Sequence, residues 1–367
     1  MSDIEKNINV LLISTQNQST YYVHAYETWK KSLEKYCNIC YYGEGYPNFI
    51  GWNKTYEEMY KSINFKPDIE IWCGGPGNKK PQYINDSKIL KNASQYSHIP
   101  KLILLCDFWE IIRDSDIKTY KNRENVLKSY GVVGYITFYS QTKSWLKTVL
   151  NSNFNPDKNK NEHIVTFPYV YDNLFTKFRE IPYKYDINLQ WCYSGYPFRT
   201  LVHQTLIDNT KYKIFNAEFL RYRDCDGNND ILNKFFNNNN PVANFSNLLN
   251  CSRITMADGY TKYICKIKPQ YKLDGTDLFN ARYPQVLASK SVLFSPIIES
   301  NHIDELKDGI HYVCVNEHNF VEKIDFYLKN THLLDEIVLN ANKWVSKNCS
   351  SSVVGERLYK ELKNIVL

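Results

Sequence analysis

Lys101-Leu102-Ile103-Leu104-Leu105-Cys106-Asp107 is the stretch on which the fold turns. A strand with one wet face alternates apolar and polar residues. A short run without alternation marks a parallel strand covered on both faces. Runs of the same kind recur outward from it, at 8–14 and 68–73 on one side and at 132–138 and 163–168 on the other. Gly74-Gly75-Pro76-Gly77 closes the second of these, and residues 22–36 between the first two carry helical spacing. Strand and helix in alternation predict a parallel sheet with helices on both sides. Residues 173–185, with charges, Pro182 and aromatics, break the rhythm and read as a connection. A second series then runs through 186–193, 212–215, 252–256, 291–294 and 312–315. The polar segment 228–240 reads as a surface loop around a short helix. The last fifteen residues, 353–367, form an amphipathic helix with Leu358, Leu362 and Val366 on one stripe.

Composition narrows the classes. A chain of 367 residues holds about two domains, each able to bury its own core. Its 45 Lys and Arg against 39 Asp and Glu leave a net charge of +6, and no basic block forms a phosphate-tracking stripe, so nucleic acid is not expected as a partner. No segment approaches the ~20 apolar residues of a membrane helix, and the polar start carries no secretory leader, so a cytoplasmic location is expected. The 30 Tyr, 14 Gly and abundant Asn, Lys and Ile reflect AT-rich codons rather than chemistry. Sequons at Asn53, Asn85, Asn92, Asn250 and Asn348 follow from the same abundance. Among 10 Cys, Cys37 and Cys40 form a CxxC with no second pair at zinc spacing, and the rest read as buried thiols.

One later stretch is more specific. Asp277-Leu278-Phe279-Asn280-Ala281-Arg282-Tyr283-Pro284-Gln285-Val286-Leu287-Ala288-Ser289-Lys290-Ser291 precedes a strand, and Asp308-Gly309 follows. This resembles the donor-domain signature of GT-B glycosyltransferases, of the "glycosyl transferases group 1" or spore-maturation-protein type. Asn280, Arg282, Leu287, Ala288 and Asp308-Gly309 stand where that pattern has its counterparts. Tyr185-Asp186-Ile187-Asn188 with Gly195 and Arg199 resembles the opening of the family's second domain. Leu248-Leu249-Asn250-Cys251-Ser252-Arg253 resembles its leucines-then-basic-then-strand segment. The resemblance implies two Rossmann-like domains facing each other across a cleft, with the C-terminal helix crossing back to the first. The implied bounds are 1–180 for an acceptor-binding domain, 181–350 for a donor-binding domain and 351–367 for the returning helix. The implied co-substrate is a nucleotide-diphosphate sugar, a UDP-sugar before others, with no metal and no other cofactor.

Physical chemistry assigns roles to these positions. Backbone amides at a Gly turn before a helix, with a cation nearby, suit a diphosphate. Gly195 and Arg199 form such a pair; Arg282 is the cation expected to stabilise the leaving diphosphate, assisted by Lys266 or Lys268. Arg199 pairing with a surface Asp, and Arg282 as a plain surface cation, are the alternatives. Asp277 is read either as a ligand of sugar hydroxyls or as a helix N-cap. Gln285 replaces the family's Glu and either hydrogen-bonds ribose hydroxyls or is a solvated helix residue. In the first half, Ser14, Thr15 and His24 after the first strand, with Trp109, are candidates for binding the acceptor. Asp107, at a strand end, is either a general base or a turn carboxylate. His163 and His311 read as structural. The enzyme predicted is a glycosyltransferase acting on a hydroxyl of a glycan, protein or small molecule. The competing prediction is a catalytically silent GT-B protein that binds nucleotide, glycan or a partner enzyme.

Overall fold

The computed structural model describes residues 8–14, 28–73, 91–105, 124–148, 152, 154, 156–177, 179–189, 197–207, 209–215, 241–258, 277–299 and 304–367. The chain divides into two compact units. The first contains Trp29–Phe167 and Ser352–Leu367 together with the first strand, and the second contains Pro168–Ser351.

The first unit is built on a six-stranded sheet of order β2-β1-β3-β4-β5-β6. Its strands are β1 (Asn9–Ile13), β2 (Asn38–Tyr42), β3 (Ile69–Cys73), β4 (Lys101–Leu105), β5 (Val132–Thr137) and β6 (His163–Thr166), and every pairing is parallel. Both β3 and β4 are buried along their whole length, as the unbroken runs predict. That burial includes the charged pair Glu70 and Lys101, which sit in register on the two strands. Helix α1 (Tyr56–Ile63) starts with a capping box: Glu58 N donates to Thr55 Oγ1 (3.1 Å) and Thr55 N to Glu58 Oε2 (2.8 Å). Helix α2 (Thr142–Thr148) follows β5.

The second unit carries a five-stranded parallel sheet, order β13-β11-β9-β7-β8. Its strands are β7 (Tyr185–Asn188), β8 (Ile214–Phe215), β9 (Ser252–Met256), β11 (Val292–Ser295) and β13 (Val313–Cys314). A separate parallel ladder joins β10 (Asp277–Leu278) to β12 (Ile298–Glu299), a feature without a counterpart in the sequence reading. The helices are α3 (Leu174–Lys177), α4 (Pro197–Leu206), α5 (Pro241–Asn250), α6 (Arg282–Ala288), α7 (Phe320–Lys329) and α8 (Thr331–Cys349). Residues 173–185, read from the sequence as a connection, are packed on this unit. Phe175 is buried in its core, Arg179 Nη2 donates to Ala288 O (2.5 Å), and Tyr183 Oη donates to Lys290 O (3.0 Å). The loop expected at 228–240 lies outside the described residues.

The last helix, α9 (Ser351–Val366), returns to the first unit, burying Val354, Gly355, Leu358 and Leu362 there. Gly355 makes this possible, because a Cβ at that position would meet Ser32 O at 2.2 Å. Tyr36 reinforces the contact by donating to Ser352 O (3.0 Å) and stacking on Tyr359.

Both sheets share one plan. The first strand of each has the second strand on one side and the third on the other. The point where the order reverses lies between β1 and β3 in one unit and between β7 and β9 in the other. In open α/β sheets such a reversal point, beyond the carboxyl ends of the strands, is where ligands bind. The smaller expectations resolve as follows. Cys37 is buried, and burial pushes the half-buried Cys40 thiol up. Asn250 and Asn348 are fully buried, their side-chain amides donating to backbone carbonyls, so neither sequon is an accessible acceptor. Among the described residues no helix is long and apolar enough to cross a membrane.

Candidate active site

In the second unit the reversal point is furnished with charge. Arg199 stands in the first turn of α4, the helix that follows β7, and Asp258 lies just past the carboxyl end of β9. Arg199 Nε donates to Asp258 Oδ1, and Arg199 Nη2 donates to the Asp258 carbonyl at 3.1 Å. Both side chains are mostly withdrawn from water, 15% and 7% exposed, so solvent screens this pair far less than a surface one. The expected alternative, Arg199 pairing with an Asp, is therefore met, but at the strand ends rather than on the surface.

The same carbonyl also receives Asn280 Nδ2 at 2.9 Å. Asn280 Oδ1 in turn accepts the backbone N–H of Arg282 (2.9 Å), one of the amides that the first turn of α6 cannot satisfy internally. A continuous chain of hydrogen bonds thus runs from α4 through the loop after β9 to the start of α6. Arg282 opens α6, with its guanidinium 4.1 Å over the ring of Phe245 on α5. It is a stacked, half-buried cation rather than the plain surface cation considered above.

Two of the alternatives open to these residues are removed here. Asp277 is not the N-cap of the late helix: it belongs to strand β10, and Ala281 occupies the cap position of α6, with Asn280 accepting the first amide. Gln285 is not solvated either; at 5% exposure it is buried with the rest of α6. Helix α6 is clamped from behind by Asn342 of α8, whose Nδ2 donates to Leu287 O (2.6 Å) and Ser289 O (2.9 Å). The Asp308-Gly309 motif has a local reason. Asp308 Oδ1 accepts Cys314 N (2.6 Å), and Gly309, at φ +70°, closes a turn by donating to Tyr312 O (2.8 Å).

Sequence reading missed Asp258, because a lone acidic residue after a strand has no local signature. It also missed the buried polar row beneath it, where Thr255 Oγ1 lies 2.8 Å from Ser291 Oγ and accepts Asn188 Nδ2 at 3.4 Å across three strands' neighbourhoods. In the first unit, Ser14 sits at the carboxyl end of β1, buried, accepting Lys30 Nζ at 2.7 Å; Lys30 is itself 3% exposed. Lys30 was also unforeseen, since a Lys on a helical segment normally faces water. His311 Nδ1 accepts Lys307 N (3.0 Å), a structural bond. Thr15, His24, Asp107, Trp109, Gly195, Lys266 and Lys268 lie outside the described residues.

No family model matches the chain, and no curated protein matches it by sequence. Solved structures match it in fold. HepE of Anabaena, in complex with UDP-glucose, superposes with a TM-score of 0.58 at 9% identity, over 97% of this chain and 100% of that one. An alpha-glucosyltransferase in complex with UDP-glucose and DNA containing an abasic site gives 0.57 at 11% identity, over 98% and 99%. Sucrose-phosphate synthase from Thermosynechococcus elongatus gives 0.52 at 8% identity, over 97% and 99%. At such identities the likeness is one of fold, and the chain has the α/β architecture of the GT-B glycosyltransferases, two parallel sheets each flanked by helices.

Proposed function

We propose that this protein is a glycosyltransferase that takes a sugar from a nucleotide-diphosphate donor, with UDP as the first base to test, and passes it to a hydroxyl acceptor. The observation that carries the reading is the coincidence of two independent features. The reversal point of the second sheet is where the fold opens a ligand crevice, and that is where Arg199, Asp258, Asn280 and the start of α6 converge. GT-B neighbours solved with UDP-glucose support the choice of ligand class.

In this reading Arg199 and Arg282 face the diphosphate. Negative charge grows on the departing phosphate as the glycosidic bond to it breaks, so fixed cations there stabilise the transition state more than the ground state. Asp277 and Gln285 bind sugar and ribose hydroxyls, Gly195 supplies backbone amides, and Lys266 or Lys268 adds positive charge. Metal is not required when two guanidinium groups neutralise the leaving group. The first unit takes the acceptor, with Ser14, Thr15, His24 and Trp109 lining its site and Asp107 as the base if the reaction inverts. The acceptor is a glycan, protein or small-molecule hydroxyl; the DNA bound to one neighbour makes nucleic acid a further class to assay.

A second reading is favoured by one observation, the buried amide of Gln285 at the position where the family resemblance expects a carboxylate. In it the protein binds donor without turning it over. Thermal-shift screening against UDP, GDP, TDP and their sugars identifies the base, because a ligand of the native state raises its stability by mass action. Slow release of nucleoside diphosphate from the matching sugar donor, abolished in Arg282→Ala, supports the enzyme. Tight binding with no release across the donor panel supports the silent protein and refutes the enzyme.

A further inference from the structure

We propose that Asp258 is a positioning residue that holds Arg199 ready for the donor's diphosphate. The inference rests on the reading that this crevice takes a nucleoside diphosphate, and adds a residue that neither the sequence nor any resemblance had marked.

The grip is two-handed. The Asp258 carboxylate takes Nε of the guanidinium while its own carbonyl takes Nη2, so one residue restrains both the position and the plane of the group. That carbonyl is itself fixed by Asn280 Nδ2 (2.9 Å), and Asn280 is fixed by the amide of Arg282. Asp258 is therefore the node through which both candidate cations share one frame. Arg199 and Asp258 are 59 residues apart in the chain, so folding alone brings them together. An unrestrained Arg loses its rotamer freedom on meeting an anion; one already clamped has lost it during folding, and binds and stabilises charge with less reorganisation. A carboxylate only 7% exposed is costly to bury without its partner, which ties the two residues energetically.

The test is a double-mutant cycle on ligand binding, read by calorimetry with UDP and with uridine, which lacks the phosphates. Asp258→Ala is expected to weaken UDP about tenfold, within the range of couplings between contacting residues, and to leave uridine unchanged. Asp258→Asn keeps an acceptor for Nε and is expected to recover most of that loss. Arg199→Ala and the double variant Asp258→Ala/Arg199→Ala are expected to bind UDP equally, because Asp258 acts through Arg199. Losses that add in the double variant overturn the inference, as does an Asp258→Ala protein that binds UDP like the parent. Equal weakening of UDP and uridine together with a lowered Tm also overturns it, by showing a merely structural ion pair. A parent protein that binds none of UDP, GDP and TDP overturns the donor-site reading itself, and is thereby distinguished from failure of the Asp258 role alone.

Discussion

The buried pair Glu70 and Lys101 offers a sharp test of how the first unit is held together. Both side chains are fully buried, on neighbouring strands in register, with Lys101 Nζ 3.8 Å from Glu70 Oε1. Glu70 accepts Tyr60 Oη (2.5 Å), Tyr56 Oη (3.1 Å) and Trp72 Nε1 (2.9 Å), which ties α1 to the sheet. Lys101 donates to Tyr96 O (2.7 Å) and Ile99 O (2.8 Å). Burial pulls the Lys101 pKa down while Glu70 pulls it back up, so the Lys101 charge depends on Glu70. Replacing Lys101 by Met leaves a buried carboxylate without its cation and strands two carbonyls, a loss of about 3–5 kcal/mol. Tyr60→Phe removes one short bond to a charged acceptor and should cost about 1.5–3 kcal/mol. The double variant Glu70→Gln/Lys101→Met removes both charges and should be less destabilised than the sum of its parts by at least about 1 kcal/mol. Urea unfolding followed by far-UV circular dichroism, with each unit's transition fitted separately, measures these values. If Lys101→Met costs under about 1 kcal/mol, or if the two changes simply add, the network is not the coupled unit inferred from its geometry.

Three further outcomes follow from the packing and the titrating groups. Gly355→Ala places a methyl 2.2 Å from Ser32 O, so α9 must move; a loss of about 1–3 kcal/mol is expected, with faster proteolytic release of the C-terminal helix. Asn342→Ala removes two bonds that clamp the end of α6 and should lower Tm and weaken UDP binding together, whereas a lowered Tm with unchanged UDP affinity would separate that clamp from the site. Stability should fall at both pH extremes. Burial raises Tyr183 and Tyr312 to about 12 and pushes Tyr56 and Tyr60 up as well, so from an ordinary value of 10.0 upward the unfolded chain loses protons that the native one keeps. Lys101 acts in the opposite sense only up to its ordinary 10.5 and is outnumbered. Burial also lowers His163 and His311, so below an ordinary 6.5 the unfolded chain binds more protons and stability drops as pH falls. A flat profile of Tm between pH 9 and 11 would contradict the alkaline half of this expectation.

Much of the architecture is legible along the chain because it is local. An unbroken apolar run such as 101–105 has one low-energy fate in a two-sided sheet, and the stripe through Leu358 and Leu362 has one buried face. Strand and helix order, two successive α/β units and a final amphipathic helix all follow from such runs. Ambiguity and error arise where a residue's setting depends on partners far away. Gln285 admits a solvated alternative because nothing near it announces the helix α8 that covers α6, and Asp277 admits a cap alternative because its pairing partner in β12 lies beyond the helix. The segment 173–185 looked like a connection because its anchors, Ala288 and Lys290, are more than a hundred residues distant.

The candidate site divides along the same line. Arg199, Asn280 and Arg282 are legible because the segments that hold them resemble the GT-B donor-domain pattern, and Arg199 also sits at a helix start that follows a strand. Asp258 is not, nor is Lys30 beside Ser14, because a charge on its own carries no sign of whether it will be buried. Periodicity and chain order are properties of neighbours and survive in a string of letters. Strand order within a sheet, and with it the point at which crossovers part and a crevice opens, is set by which of several parallel pairings buries the most apolar surface. That choice is made among segments dozens of residues apart, and it is what brings the carboxylate after β9 to the cation after β7.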